Sequence, residues 1–275
     1  MMRALYTAAS GMISQQTNVD VIANNLANVN SVGYKSQRAE FKSLLYQTLQ
    51  TRSTSANGDE KPVAAQVGTG TRTASIATSY AQGSVQESDN TFSFAIMGDG
   101  FFAFQAYNGE TNYTRNGNFQ MAVLSEDEGG GFMLCTQEGY PVLDTDGQTI
   151  VFDSDMTTSL VQVTSDGTFC YPDEDNNYQS LGIQIGLYQF TNPAGLESVG
   201  ETSYRETEAS GLPMEEHNTD GIQMSSLKQG YLESSNVQVA DEMVNLIVAQ
   251  RAYEMNSKAI QTADTMMEEA NQLKR

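Results

Sequence analysis

The 275-residue chain is short of histidine, cysteine and cationic side chains, and each scarcity removes a class of function. The one histidine, His217, lies in the polar stretch MEEHNTDG with no second His or Cys nearby to complete a zinc site. Ser-His-Asp chemistry would have to use it, and no G-x-S-x-G elbow accompanies any serine. It reads as a solvated loop residue. The two cysteines, Cys135 and Cys170, match no metal-ligand spacing. A single bridge and two thiols packed separately as small apolar groups both fit, and neither makes a disulfide-built scaffold. No apolar run approaches the ~18 to 20 residues that a membrane span needs, so no membrane insertion is expected. Arg3 opens the chain, but Thr7, Ser10, Ser14, Gln15 and Gln16 interrupt any continuous apolar core. The N-terminus therefore does not read as a cleaved secretory signal peptide, and a protein leaving the cytoplasm would need another route.

Basic residues number 14 against 34 acidic ones, a net charge of −20. Residues 101–200 hold a single basic side chain, Arg115. Phosphate binding needs cations, so nucleic acid is excluded as a partner. The excess reads as a solvated, self-repelling surface. The acidic segments EDEGGG (126–131) and DEDNN (173–177) lack the spaced ligands and closing Glu of a calcium loop. Paired carboxylates could cleave glycosides, but among 34 acidic residues some pair falls at a suitable distance by chance. The glycine triplets at 68–70 and 98–100 precede no helical pattern and read as turns rather than phosphate cradles. No catalytic residue, cofactor or metal is expected.

Proline is absent from the first 61 and the last 62 residues, which permits long helices at both ends. Leu5, Met12, Val19 and Leu26 recur every seven residues, with Ala8/Ala9, Gln15/Gln16, Ile22 and Val29 between them. This predicts a helix of roughly 3–30 with a narrow apolar seam. Gln in its middle layer and small Ala make the seam weak. Gly33 is a natural left-handed stop, and a short amphipathic stretch with Phe41, Leu44, Leu45 and Leu49 follows. At the other end Asn236 is a candidate cap, and Asp241 and Glu242 suit the first turn of a helix that Lys274 and Arg275 close. Val244, Val248, Met255, Ala259, Thr262 and Met266 form one stripe, and Met243, Ile247, Tyr253, Ile260 and Met267 a second. So wide an apolar face needs more than one neighbour to cover it.

The centre alternates or clusters apolar residues as strands do, at 91–96, 101–104, 118–123, 132–134, 149–152, 160–163 and 183–190. Asn-Gly and Asp-Gly turn signals separate them. The fold class expected is α+β: a coiled-coil-like layer of the N- and C-terminal helices plus a central antiparallel all-β domain. The segments are a helical 1–50, an extended arm or linker 51–79, a β-rich outer domain 80–225, and a C-terminal helix 226–275 that completes the inner assembly domain with 1–50. Neither helix can bury its seam alone. Uncovered faces of this kind mark association sites, and a head-to-tail contact that does not close generates a helical filament. The predicted self-assembly interface is Leu5, Met12, Val19, Ile22, Asn24, Asn25, Leu26, Asn28 and Gly33 with Val244, Ile247, Met255, Ile260 and Met266. Within it the amides of Asn24, Asn25, Asn28 and Asn30 read either as caps of a fraying helix end or as hydrogen-bonding groups that fix register across the interface.

Several stretches are similar to a known family. Residues 15–49 closely resemble the N-terminal signature of flagellar rod and hook proteins, A-N-N-L-A-N…G-[FY]-K, here Ala23, Asn24, Asn25, Leu26, Ala27, Asn28, Gly33, Tyr34 and Lys35. MGDGFFAF (97–104), YTRNGNF (113–119), 187–211 and 227–267 extend the resemblance over most of the chain, with the distal-rod type fitting best. The resemblance implies a non-enzymatic structural subunit of the bacterial flagellum basal body, exported through the type III apparatus without signal cleavage. It implies helical self-assembly into a rod that transmits motor torque across the periplasm and cell wall. The partners implied are copies of itself, proximal-rod and hook proteins, the export apparatus, and bushing or ring proteins and peptidoglycan around the rod. The alternatives are another axial member of the family, proximal-rod or hook-like, and a wall-acting hydrolase. The acidic insertions near 125–131 and 171–179 and the two cysteines depart from the family pattern.

Overall fold

The computed structural model of the chain describes residues 2–50, 65–124, 130–154, 156–173, 177–200, 202–219 and 221–273. They divide into two compact units. One comprises 1–27, 37–78 and 238–275, the other 28–36 and 79–237.

The helical unit holds α1 (Met2–Ala27) and α2 (Val239–Gln272). Both are free of proline, as their sequences require. α1 ends three residues earlier than periodicity suggests, because Asn28 builds a turn. Its carbonyl accepts from the Ser31 amide at 3.2 Å and its Oδ1 from the Ser31 hydroxyl at 3.1 Å. Asp241 and Glu242 occupy the first turn of α2, where they complement the helix dipole. Residues 226–238, expected to be part of the C-terminal helix, are not helical, and the cap position falls on Gln238 rather than Asn236. Lys274 and Arg275 lie outside the described residues.

The same unit contains a strand ribbon that hydrophobic periodicity does not announce. β1 (Gln37–Ser43) and β2 (Tyr46–Gln50) run out, and β3 (Ala65–Gly68) and β4 (Thr71–Thr78) return. β1 pairs with β4 from Gln37↔Thr78 to Ser43↔Thr71, with a bulge at Glu40/Phe41, and β2 pairs with β3. The expected amphipathic stretch around Phe41 and Leu45 is thus extended. Its backbone is satisfied by the returning strands, and Phe41, Leu45 and Tyr46 stay exposed. Within the expected arm, 65–68 and 71–78 are strands, whereas 51–64 lie outside the described residues. α1 lies along this ribbon. The Ser14 and Thr71 hydroxyls meet at 3.2 Å, and Asn25 pairs with the Gln37 backbone, Nδ2 donating to the carbonyl at 2.8 Å and Oδ1 accepting from the amide at 2.9 Å.

The β unit is antiparallel throughout its described pairs. Its largest sheet has six strands in the order β16 (Glu197–Gly200), β17 (Ser203–Arg205), β8 (Thr111–Thr114), β7 (Phe101–Gln105), β15 (Leu187–Gln189) and β18 (Met214–Glu215). β11 (Val151–Phe152), β10 (Gly131–Cys135) and β9 (Gln120–Leu124) form a second sheet. A third contains β12 (Gln162–Val163), β13 (Thr168–Pro172) and β14 (Tyr178–Gln184). Two ladders complete it: β6 (Phe94–Met97) with β19 (Ser226–Gln229), and β5 (Val85–Glu87) with β20 (Tyr231–Glu233). Most of the sequence-predicted strands overlap these, because each combines a short apolar run with a turn signal.

β7 shows why the sequence FFAF is apolar without alternation. Its side chains point alternately to opposite faces, and both faces are covered. Phe102 enters a core with Phe94, Phe119, Leu134, Ile150, Phe152 and Phe169, while Phe101 and Ala103 enter another with Tyr113, Phe190 and Tyr204. Edge-to-face pairs dominate, such as Phe102–Phe119 at 5.0 Å and Tyr113–Phe190 at 4.8 Å between ring centroids. Cys135 and Cys170 are both free thiols, so no bridge forms. The insertions at 125–129 and 174–176 lie outside the described residues.

Two outcomes follow from this core. Phe119→Ala removes a fully buried ring and is expected to cost about 3–5 kcal/mol, read as a lower chemical-denaturation midpoint of the β unit. The Tyr113 and Tyr204 phenols are pushed up from their ordinary value of 10.0, chiefly by burial. The folded chain then keeps protons that the unfolded chain releases above about pH 10, so these phenols make stability fall as pH rises past that point. Denaturation of Tyr113→Phe/Tyr204→Phe at pH 9 and pH 11 should show a smaller alkaline loss than the wild type.

Candidate functional site

The predicted interface residues separate into three groups. On α1, Ile22 and Asn25 are buried, as are Ala8, Ser14 and Val21, which the seam reading did not name as interface positions; Leu5, Met12, Val19 and Leu26 are half-buried. α1 packs against α2, close enough that a Cβ on Gly11 would stand 2.9 Å from the Asn256 amide nitrogen. On α2 the covered positions include Leu246, Ala249, Ala252, Asn256, Ile260, Ala263 and Met267, spaced by threes and fours. Only Ala249 and Ala263 among the apolar ones are fully buried.

The second group faces solvent. Val244, Ile247, Met255 and Met266, named in the predicted self-assembly interface, are 53–65% exposed. Met243, Val248 and Tyr253 are exposed beside them. Within the single subunit the fully buried apolar positions of α2 are the small Ala249 and Ala263, while these bulky residues of the predicted self-assembly interface remain uncovered. Of the α2 positions named, Ile260 alone is on the covered side.

The third group lies within the subunit. Asn25 is committed to the Gln37 backbone, Asn28 to its own turn, and Asn24 points its Nδ2 at Gln37 Oε1 at 3.5 Å. Gly33 belongs to the β unit. It has φ +69, and a Cβ there would stand 2.7 Å from the Arg115 backbone.

Gly33 marks a cluster that sequence reasoning did not find. Lys35 and Glu233, each 1% exposed at the side chain, meet at 2.7 Å, and Lys35 Nζ also donates to the Ala81 carbonyl at 3.0 Å. Arg115 Nη1 reaches the other Glu233 oxygen at 3.4 Å, with its guanidinium 4.9 Å from the centroid of the Phe101 ring. The Gly83 amide donates to Glu233 Oε1 at 2.8 Å, and the Gly33 amide to the Glu233 carbonyl at 2.8 Å. Burial, with Arg115 nearby, holds the Lys35 ammonium below its ordinary pKa against the pull of Glu233; burial likewise lowers that of Arg115. One layer away, Asn236 accepts from the Ser36 amide at 2.7 Å and donates to the Ser79 and Ala81 carbonyls at 2.9 and 3.0 Å. This is why it cannot cap α2.

His217 is an exposed loop residue whose ring nitrogens lie 3.2 and 3.3 Å from Gln184 Nε2. Among the described residues no group of three His, Cys, Asp or Glu side chains is placed to hold a metal, and no helix is long and apolar enough to cross a membrane. Charge divides sharply: the helical unit is neutral in sequence, and the β unit carries the whole −20.

Thinly sealed terminal helices with an uncovered apolar stripe define a class, the structural proteins that assemble. Family models place it further. "Flagella basal body rod protein" matches residues 5–35, "Flagellar hook protein FlgE/F/G D1 domain" matches 95–171, and "Flagellar basal body rod FlgEFG protein C-terminal" matches 228–273. The flagellar basal-body rod protein FlgG of Borreliella burgdorferi is 44% identical over 100% of both chains. That of Caulobacter vibrioides is 43% identical over 99% of this chain and 100% of its own. The crystal structure of the Helicobacter pylori flagellar hook protein FlgE2 covers 66% of this chain and 48% of its own at 14% identity, with a TM-score of 0.23. The chain belongs to the flagellar basal-body rod proteins, of the distal-rod type. It is a structural subunit of the flagellar rod and not an enzyme.

Gly33→Ala tests the cluster. A left-handed φ costs a non-glycine residue about 1–3 kcal/mol, and the approach to Arg115 adds to it. The variant is expected to lower the unfolding midpoint of the β unit, whereas Gly109→Ala, also at positive φ but with open space at its Cβ, should cost only the backbone part.

Proposed function

We propose that the subunit polymerises through its helical unit into the tube of the distal rod, and that this tube transmits motor torque. The observation that carries the reading is the stripe Val244, Ile247, Val248, Met255 and Met266 on α2, uncovered in the single subunit. Contiguous apolar surface of this kind is removed from water when copies associate. The neutrality of the helical unit favours the same route, since like-charge repulsion does not oppose its close packing. In this reading α1 and α2 pair as a coiled-coil-like layer, the β unit lies outside, and the exposed part of the predicted interface faces neighbouring copies. Proximal-rod and hook proteins continue the axial structure, and bushing or ring proteins and peptidoglycan surround it in the periplasm and cell wall. The subunit travels through the flagellar export apparatus without signal cleavage. Its thinly sealed helices suit that route, because a seam closed mainly by alanines does little to offset the entropy of ordering two long segments. Folding of the ends is then coupled to assembly.

The double variant Val248→Asp/Met255→Asp places charge on the stripe without touching the α1 side. Its β unit is expected to unfold within about 0.5 kcal/mol of the wild type, while electron microscopy shows loss of rod-like polymers and swimming is lost. Proline at Val19 or Met255, which costs a helix interior about 3 kcal/mol, should likewise abolish polymers and leave the β unit folded. Normal polymers from either would refute the reading.

A further inference from the structure

The buried cluster around Glu233 fixes where the subunit's own order begins. The segment leading out of α1 and the segment leading into α2 run against each other inside the β unit. Gly33 is bonded to the Glu233 carbonyl, Lys35 to its carboxylate and Ser36 to Asn236. The strand that supplies Glu233, β20, is itself paired with β5. Lys35, Arg115 and Glu233 are all buried among β-unit residues, and every partner named is on that unit. None of these contacts needs α1, α2 or a second copy.

We propose that this clasp is already closed in the free subunit. The boundary between self-ordered chain and chain that waits for neighbours then falls at Ala27/Asn28, Ser36/Gln37, Thr78/Ser79 and Val237/Gln238, and residues 28–36 fold with the β unit although they come directly after α1. The consequence is kinetic. Residues 33–36 and 233–236 are positions 198 to 200 apart in sequence, yet hydrogen-bonded side by side. The two terminal segments therefore leave the β unit from one anchored place, which raises the effective concentration of each at the other. A breached clasp lets the N-terminal end diffuse on a tether longer by the freed segment. The inference rests on the assembly reading for its purpose, but the closure itself does not.

The test is hydrogen exchange on the dilute, full-length monomer. Closure predicts that the amides of Gly33 and Ser36 exchange roughly 100-fold more slowly than those of 2–27, within reach of strands 94–105. Glu233→Gln should raise the exchange of 33 and 36 toward the α1 rate. Because that variant leaves Lys35 and Arg115 short of their counter-charge and endangers the whole β unit, Asn236→Ala is the second arm. It removes the Ser36 bond without touching a charge, and should release Ser36 while 94–105 stay protected. Rapid exchange of Gly33 and Ser36 in the wild type, or unchanged Ser36 protection in Asn236→Ala, overturns the proposal. Polymer formation separates the two ideas: polymers from a subunit with an open 28–36 would sink the clasp and spare the assembly reading, and a protected 28–36 without polymers would do the reverse.

Discussion

One carboxylate organises the buried place in the β unit where residues 33–36 meet 233–236. Glu233 takes a lysine, an arginine and a backbone amide on its two oxygens and a further amide on its carbonyl. Two cations facing one anion in a buried place cannot be justified by Coulomb attraction alone, since desolvation opposes it. What the arrangement gives is uniqueness. The partners come from three separate stretches of chain, 33–35, 83 and 115, and removing any one leaves buried charge or an orphaned amide. A hydrophobic plug could fill the same volume, but it would not specify which segments meet there.

The helical unit follows the opposite logic. Its internal contacts are made by Ala8, Val21, Ile22, Ala249 and Ala263, and by polar pairs such as Asn25 with Gln37. Little apolar area is sealed per residue, and the larger side chains of α2 are left outside. In the proposed assembly, neighbouring copies would cover what this unit leaves exposed. The β unit, by contrast, seals two aromatic-rich cores. The division of labour is legible in side-chain size as much as in secondary structure.

How much could be read from the residues alone depended on the range of the cause. The helices were legible because proline is absent and the apolar spacing is local. β7 was legible because Phe101–Phe104 form an apolar cluster flanked by glycine turns. β4 was not, because TRTASIAT alternates weakly and owes its extension to β1. On α2 the bulky residues dominate the periodicity and are exposed in the single subunit, whereas the buried Ala249 and Ala263 are too small to stand out in the pattern. Asn25 offered a hint through its motif, but its partner is a backbone group twelve residues on. Lys35, Arg115 and Glu233 carried no local signal at all: their meaning exists only once distant strands have paired.

Charge placement has a last consequence. Of the four cations in the β unit, Lys35 and Arg115 are enclosed, Arg205 is engaged by Glu197 and Glu110, and Lys228 lies over the Tyr231 ring. The surface of that unit is close to an unbroken field of one sign. Two such units brought together by chance find no compensating patch, so sticking between completed structures, or between subunits still in transit, is discouraged without any dedicated chaperoning surface. The helical unit, with ten basic and ten acidic residues, carries no such net repulsion.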